Sequence, residues 1–207
     1  HLGRVHSLTM DISKFYPSCR SEFVFRFFRY VLQMEPDVAM VMTSIATFKD
    51  HIPTGSPISQ VLSYWAYKRT FDALAVEADG RGLKFSLYVD DMTFTSANPI
   101  PRSFLPVVRH ILDRAGLRLK PSKTQVHSTK YYKVVTGVAI DQDGESKVPN
   151  RIRLKILSRL KRLEPLARAP EEALKSVLGS IASARQIEPE FFEQTFIRVR
   201  TELGRRG

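Results

Sequence analysis

Apolar and polar residues alternate from Val5 to Asp11 and again from Phe85 to Ser96, the period of a half-buried strand. In the second stretch the alternation breaks at Asp90-Asp91, which predicts a hairpin with two carboxylates at its tip. Between these stretches the spacing turns helical. Phe23, Phe27, Tyr30 and Met34 recur near helical spacing and predict a helix over Ser21 to Met34. A shorter helix is expected over Pro36 to Thr47, opened by proline in its first turn. His51 to Gln60 is a loop of turn formers. Val61 to Ala78 reads as one long, largely buried helix, stopped by Gly80 and Gly82.

Further on, Pro101 to Ala115 is amphipathic, with Phe104, Val107, Val108, Ile111 and Leu112 on one side and Gly116 where a C-cap belongs. Leu117 to Lys123 and Thr124 to His127 look extended. Tyr131 to Asp141 holds another strand run, and Asp143-Gly144 signals a hairpin turn. After Pro149 the pattern is helical throughout. Asn150 is expected to cap a helix running to Ala167, Pro170 opens a second with Glu171 and Glu172 in its first turn, and Pro189 starts a last one. The pattern predicts an α+β body over residues 1–149, an antiparallel sheet packed on helices, followed by an α-helical appendage over residues 150–207.

The 207 residues, 43% of them hydrophobic, suffice for one domain with a small appendage. The formal charge of +11 adds a partner to the picture, since such an excess favours nucleic acid first and an acidic membrane surface second. Cys19 is the only cysteine, which leaves no disulfide framework or cysteine zinc site and suits a reducing cytoplasm. No apolar run approaches the length of a membrane span. The chain opens at His1 without an initiator methionine, as a fragment would.

Asp-Asp pairs are common in solvated turns. Asp90 and Asp91 stand apart because an apolar strand leads into them and a third acid, Asp11, ends the strand upstream. In an antiparallel sheet those strands can lie side by side and bring the carboxylates to one edge. Neighbouring strand residues face opposite ways, but a tight turn relaxes that rule. Two or three carboxylates with a backbone carbonyl form the hard oxygen set that magnesium prefers. Two such ions can hold a triphosphate and activate a 3′-hydroxyl for in-line displacement. Farther along, seven basic residues between Arg151 and Arg168 are offset only by Glu164. Arg151, Lys155, Arg159 and Arg162 line one helix face, and Ile152, Ile156, Leu160 and Leu163 the other. Such a face is often merely solvated, yet this density of cations favours sequence-blind, salt-sensitive contact with phosphates.

Five segments stand in order as a set. Asp11-Ile-Ser-Lys-Phe-Tyr-Pro-Ser resembles the first palm motif of bacterial, retron-like reverse transcriptases, and Pro53-Thr-Gly-Ser-Pro-Ile-Ser-Gln-Val-Leu-Ser63 their second. Tyr88-Val-Asp-Asp91 is similar to the signature Tyr-x-Asp-Asp box. Ala115-Gly-Leu-Arg-Leu-Lys-Pro-Ser-Lys-Thr124 resembles the motif that follows, and Val135-Thr-Gly137 the element of the primer-gripping hairpin. The match covers about the first two-thirds of the chain.

The resemblance implies a palm over residues 1–149, a basic helical thumb over 150–207, and RNA-directed DNA polymerase activity. It implies Asp11, Asp90 and Asp91 as catalytic metal ligands with the Ile12 carbonyl, two Mg2+ ions per site, and Mn2+ as a substitute. Tyr16, beside Phe15, matches the steric gate against a ribose 2′-hydroxyl. Thr54, Gly55 and Lys123 fall at nucleotide-binding positions. Ser56, Gly137, Arg151, Lys155, Arg159 and Arg162 fall at nucleic-acid-binding ones. The partners implied are an RNA template, a DNA or RNA primer, dNTPs and a structured non-coding RNA, in a cytoplasmic setting that for many relatives is defence against phage.

The match departs at Thr54, where the family usually has glutamine, and at Gln60 and Tyr64, which replace the usual proline and asparagine. These positions flank template and nucleotide, so fidelity and speed are affected rather than metal binding. Family members also carry a fingers region ahead of Asp11, which His1 to Met10 cannot supply. Unless fingers lie upstream or in another chain, this polypeptide is expected to be weakly active. A palm that holds RNA without polymerising is therefore the main rival, and a nucleotide cyclase on a similar hairpin the second. The proline-glycine loop before Val61 and the basic helix speak against the cyclase.

Overall fold

The structure, a computed structural model, describes residues 5–128, 133–135, 137–141 and 143–205. These form two compact units, one over the described residues up to 128 and one over those from 133 onward.

In the first unit, strands β1 (His6–Asp11), β2 (Lys84–Tyr88), β3 (Asp91–Ser96) and β4 (Gln125–His127) form an antiparallel sheet of order β2-β3-β1-β4. β1 and β3 are the inner strands. Their burial exceeds the alternation that the sequence predicts, with Met92, Thr93, Phe94 and Thr95 all buried. Leu8, Met10, Met92 and Phe94 join Phe104, Val108 and Leu112 in the core. The last three come from α6 (Phe104–Arg114), the amphipathic helix expected there. It ends in a Schellman motif, in which Leu117 N–H donates to the Leu112 carbonyl and Gly116 N–H to that of Asp113. Gly116 supplies the required left-handed backbone, at φ 73°.

Helices α1 (Phe15–Ser18), α2 (Ser21–Arg26), α3 (Pro36–Ala46), α4 (Ser59–Ala66) and α5 (Lys68–Asp79) complete this unit. Two of the expected helices divide. The one from Ser21 passes at Phe27 into a π-helical turn, Phe27–Val31, in which Leu32 N–H reaches back five residues to the Phe27 carbonyl. The one expected over Val61 to Ala78 breaks at Tyr67. The break seats the Tyr67 ring in the core, 1% exposed. There its hydroxyl donates to the Ser18 carbonyl at 3.2 Å and accepts from Arg20 N–H at 3.0 Å. Helical periodicity cannot register a buried hydroxyl that staples one helix junction to a distant loop.

The second unit holds β5 (Lys133–Val135), β6 (Val138–Ile140) and β7 (Ser146–Lys147), an antiparallel sheet in that order, with α7 (Asn150–Arg162), α8 (Glu171–Arg185) and α9 (Glu193–Gly204). Tyr131 of the expected strand and Thr136 of the Val-Thr-Gly segment lie outside the described residues. The small sheet groups with the helices rather than with the larger sheet. Ser146 Oγ donates to the Ile187 carbonyl at 3.1 Å and Val148 N–H to Glu188 Oε2 at 3.0 Å. Val148 shares a core with Ile156, Leu160, Leu174, Val177 and Ile181. Asn150 is the first residue of α7 and makes no capping bond. That helix stops at Arg162, ahead of Pro165, because the residue before a proline is driven out of the helical region. No helix among the described residues is long and apolar enough to cross a membrane.

Candidate active site

Asp11 ends β1 and Asp91 begins β3, and the two are paired across the sheet. Ile12 N–H donates to the Asp90 carbonyl at 3.1 Å, which ties the segment after β1 to the hairpin tip. Tyr88 and Asp91 close the β2–β3 ladder, leaving Val89 and Asp90 as a two-residue turn. Such turns want a left-handed first residue, normally glycine. Val89 takes that conformation at φ 58° despite its branched Cβ, a strain on the order of 1–3 kcal/mol. The reversal removes the alternation that would separate Asp90 from Asp91. Carboxylate oxygens of Asp11, Asp90 and Asp91 lie within 4.8 Å of one another.

Burial is graded across the cluster, with Asp11 buried, Asp90 half-buried and Asp91 exposed. Desolvation first, and then the Asp11 carboxylate, holds Asp90 above the usual carboxylate range, against its own backbone hydrogen bond and the pull of Lys123 and Lys120. Asp91 is raised by desolvation and then by the charges of Asp90 and Asp11. Like charges held this close disfavour full ionisation unless a cation neutralises them. Three converging hard oxygen donors suit a divalent ion of the magnesium kind.

The cations come from the segment after α6. Ser13 N–H donates to the Arg118 carbonyl and Lys120 N–H to the Asp11 carbonyl, both at 2.8 Å, so this segment continues the sheet alongside the end of β1. A 3-10 turn, Pro121–Lys123, then swings Lys123 back until its Nζ pairs with Asp11 Oδ2. Hydrogen bonding to Asp11 raises the Lys123 ammonium, which keeps it charged. Lys120 was not among the expected residues, although its charge reaches Asp90. The signal for it is faint: apolar Leu117 and Leu119 alternate with polar Arg118 and Lys120.

Tyr16, on α1, is half-buried, and its hydroxyl is raised by desolvation and by the nearby Asp90 charge. Phe15 is buried, its ring 5.5 Å from that of Tyr16 and 6.4 Å from that of Phe71, so it backs Tyr16 instead of facing a ligand. Thr54 and Gly55 are exposed and Ser56 half-buried on the loop before α4. Gly55 stands at φ 91° with open space where a Cβ would project, so backbone conformation rather than packing calls for glycine. Among the described residues this loop makes no hydrogen bond to the acids.

The remaining expected residues belong to the second unit. Gly137 takes φ 85° at the exposed turn between β5 and β6. Arg151, Lys155 and Arg162 are exposed along α7, with no acid in ion-pair reach among the described residues. Arg159 is half-buried and donates to Ser180 Oγ at 3.2 Å. Arg153, between them in sequence, instead pairs with Glu188 at 3.2 Å and lies over the Phe191 ring.

A hairpin-tip acid cluster on an antiparallel sheet packed on helices, followed by a helical unit, is the arrangement of a polymerase-type palm and thumb. In sequence the chain is similar to retron reverse transcriptases. It is 28% identical over 149 residues to the Retron Ec86 reverse transcriptase of Escherichia coli, covering 69% of this chain and 45% of the relative. It is 24% identical over 134 residues to the Retron Se72 reverse transcriptase of Salmonella heidelberg, covering 63% and 35%. The chain thus spans less than half the length of these relatives. No family model matches the sequence. The fold is shared with apo telomerase from Candida tropicalis, at TM-score 0.59 and 10% identity, covering 98% of this chain and 44% of that one. It is shared too with a foamy viral protease-reverse transcriptase solved with an RNA/DNA hybrid, at TM-score 0.53 and 19% identity, covering 87% and 21%.

Proposed function

We propose that this chain is the palm and thumb of an RNA-directed DNA polymerase, extending a primer 3′-hydroxyl with dNTPs on an RNA template in the cytoplasm. The observation that carries the reading is the convergence of Asp11, Asp90 and Asp91 within 4.8 Å, at the tip of a strained hairpin. Asp11, Asp90 and Asp91, with the Ile12 carbonyl, would hold two Mg2+ ions. When bound, such ions activate the attacking hydroxyl and stabilise the leaving oxygens of an in-line displacement.

The chain's own residues supply the rest. Lys123 Nζ rests on Asp11 with its side chain 53% exposed, so it can meet a triphosphate and give a proton to the departing pyrophosphate. The Tyr16 ring, backed by Phe15, would meet a ribose 2′-hydroxyl, which favours deoxynucleotides. Thr54, Gly55 and Ser56 offer an exposed loop to the templating base pair. Gly137 lies at the primer grip, and Arg151, Lys155, Arg159 and Arg162 contact duplex phosphates. A structured non-coding RNA is the natural template for a retron-like enzyme.

Magnesium-dependent primer extension on an RNA template tests the reading, with Asp90→Asn/Asp91→Asn as the comparison. Extension by the native chain and none by the variant, at equal RNA binding, is the expected result. Equal binding with extension by neither would leave an RNA-holding scaffold.

A further inference from the structure

Outside the acid cluster, the first unit carries a groove where the π-helical turn after α2 meets the junction of α4 and α5. Its volume is about 580 Å³, and Arg26, Phe27, Tyr30, Trp65, Lys68 and Arg69 contribute to its lining. Four aromatic side chains and three cations line it, with no acid. Large aromatic surface normally goes into a core, yet Tyr30 is 70% exposed and Trp65 42% exposed. The Phe27 and Trp65 rings are near-parallel, 6.4 Å apart, so the wall is already set. A π-turn is rare and recurs at functional sites, and here it carries both Phe27 and Tyr30. Arg69 is exposed and has no ion-pair partner among the described residues. Arg26 pairs with Glu22 and Lys68 with Asp72, each across one exposed helical turn. Pairs of that kind contribute little and can yield to phosphate.

Open aromatic faces rimmed by cations are what unpaired nucleic acid needs, with bases stacking on rings while the backbone follows the positive rim. A chain of net charge +11 reinforces that sign preference. We infer that this groove binds an unpaired single-stranded nucleic-acid segment, apart from any duplex held for polymerisation. The inference reaches beyond the polymerase reading and does not require a working acid cluster.

Trp65, the only tryptophan in the chain, lines this groove and also borders a pocket beside Tyr88 and Val89, so its fluorescence reports binding and the groove variants assign it. The test is titration of the full chain at low salt with oligouridylate, with oligothymidylate and with a polyglutamate peptide. Quenching by either oligonucleotide is expected, and the tighter one identifies the nucleic acid. Tyr30→Ala and Arg69→Glu should each weaken it by roughly tenfold, the scale of removing one stacked base or one phosphate partner. Tyr30→Phe, which keeps the ring, should retain it. Circular dichroism melts check that each variant is folded. Quenching by polyglutamate alone would make the groove an acidic-peptide site. That result, no quenching by either oligonucleotide, or quenching undiminished in folded Tyr30→Ala and Arg69→Glu, overturns the inference. In Asp90→Asn/Asp91→Asn the quenching should be unchanged. If the native chain fails to extend a primer but still shows this quenching, only the polymerase reading falls.

Discussion

In the first unit the charges that matter are few, turned toward one another and held by a backbone that is itself strained. Along α7 of the second unit they are many, mostly exposed and spread over a helix face. The first arrangement depends on Val89 at φ 58° and on the Ile12–Asp90 and Asp11–Lys120 backbone bonds. A small shift there would separate the three acids. The second arrangement asks only that α7 remain a helix, which Ile156 and Leu160 secure by burial. Convergent charge supports chemistry on one bond, whereas dispersed charge supports grip on a repeating polyanion, so damage should part the two behaviours cleanly.

Asp11→Asn should break the first behaviour alone. Asp11 is 4% exposed and paired with Lys123, and an asparagine of the same shape leaves Lys123 in solvent. Primer extension should fall by roughly 10³-fold, the scale of losing a preorganised electrostatic group, while hybrid binding holds. Retained extension would remove Asp11 from the chemistry. The converse is Arg151→Glu/Lys155→Glu/Arg162→Glu. Binding to an RNA/DNA hybrid should weaken, and the slope of log affinity against log salt should flatten by about 0.9 for each phosphate no longer neutralised. A slope equal to that of the native chain would return α7 to the status of a solvated face.

The smallest effect concerns what holds the first unit in place. Tyr67→Phe leaves Arg20 N–H without its partner, at about 1–3 kcal/mol, which should lower Tm by several degrees. The same region sets an alkaline limit. Burial pushes the Cys19 thiol from its ordinary 9.0 up to about 12 and raises Tyr67 as well. Both groups stay neutral in the folded chain after the unfolded chain has begun to ionise. These two groups should therefore make stability decline as pH rises from 9 toward 12. Urea melts across that range check it, and Tyr67→Phe should show the shallower decline. A flat profile would mean that neither group is buried as described.

Most of the order of strands and helices, many apolar core positions and the candidate acids were legible in the residue pattern, because alternation and helical spacing are local properties. So was Gly116, since a helix end needs a left-handed residue wherever it falls. But Tyr30 and Trp65, on helices expected in the core, lie 70% and 42% exposed. What the pattern could not express lies in contacts between distant segments. Tyr67 breaks a helix to satisfy a buried hydroxyl beside Ser18, Lys120 reaches Asp90 through strand pairing, and β5–β7 join the helical unit because Val148 shares its core. Phe15 and Tyr16 are neighbours in the chain, yet only packing against Phe71 decides which ring is buried. The residues by themselves determined which side chains were available, whereas the tertiary structure decided which of them meet. Convergence depends on distances set by the whole sheet, and no window of sequence contains them.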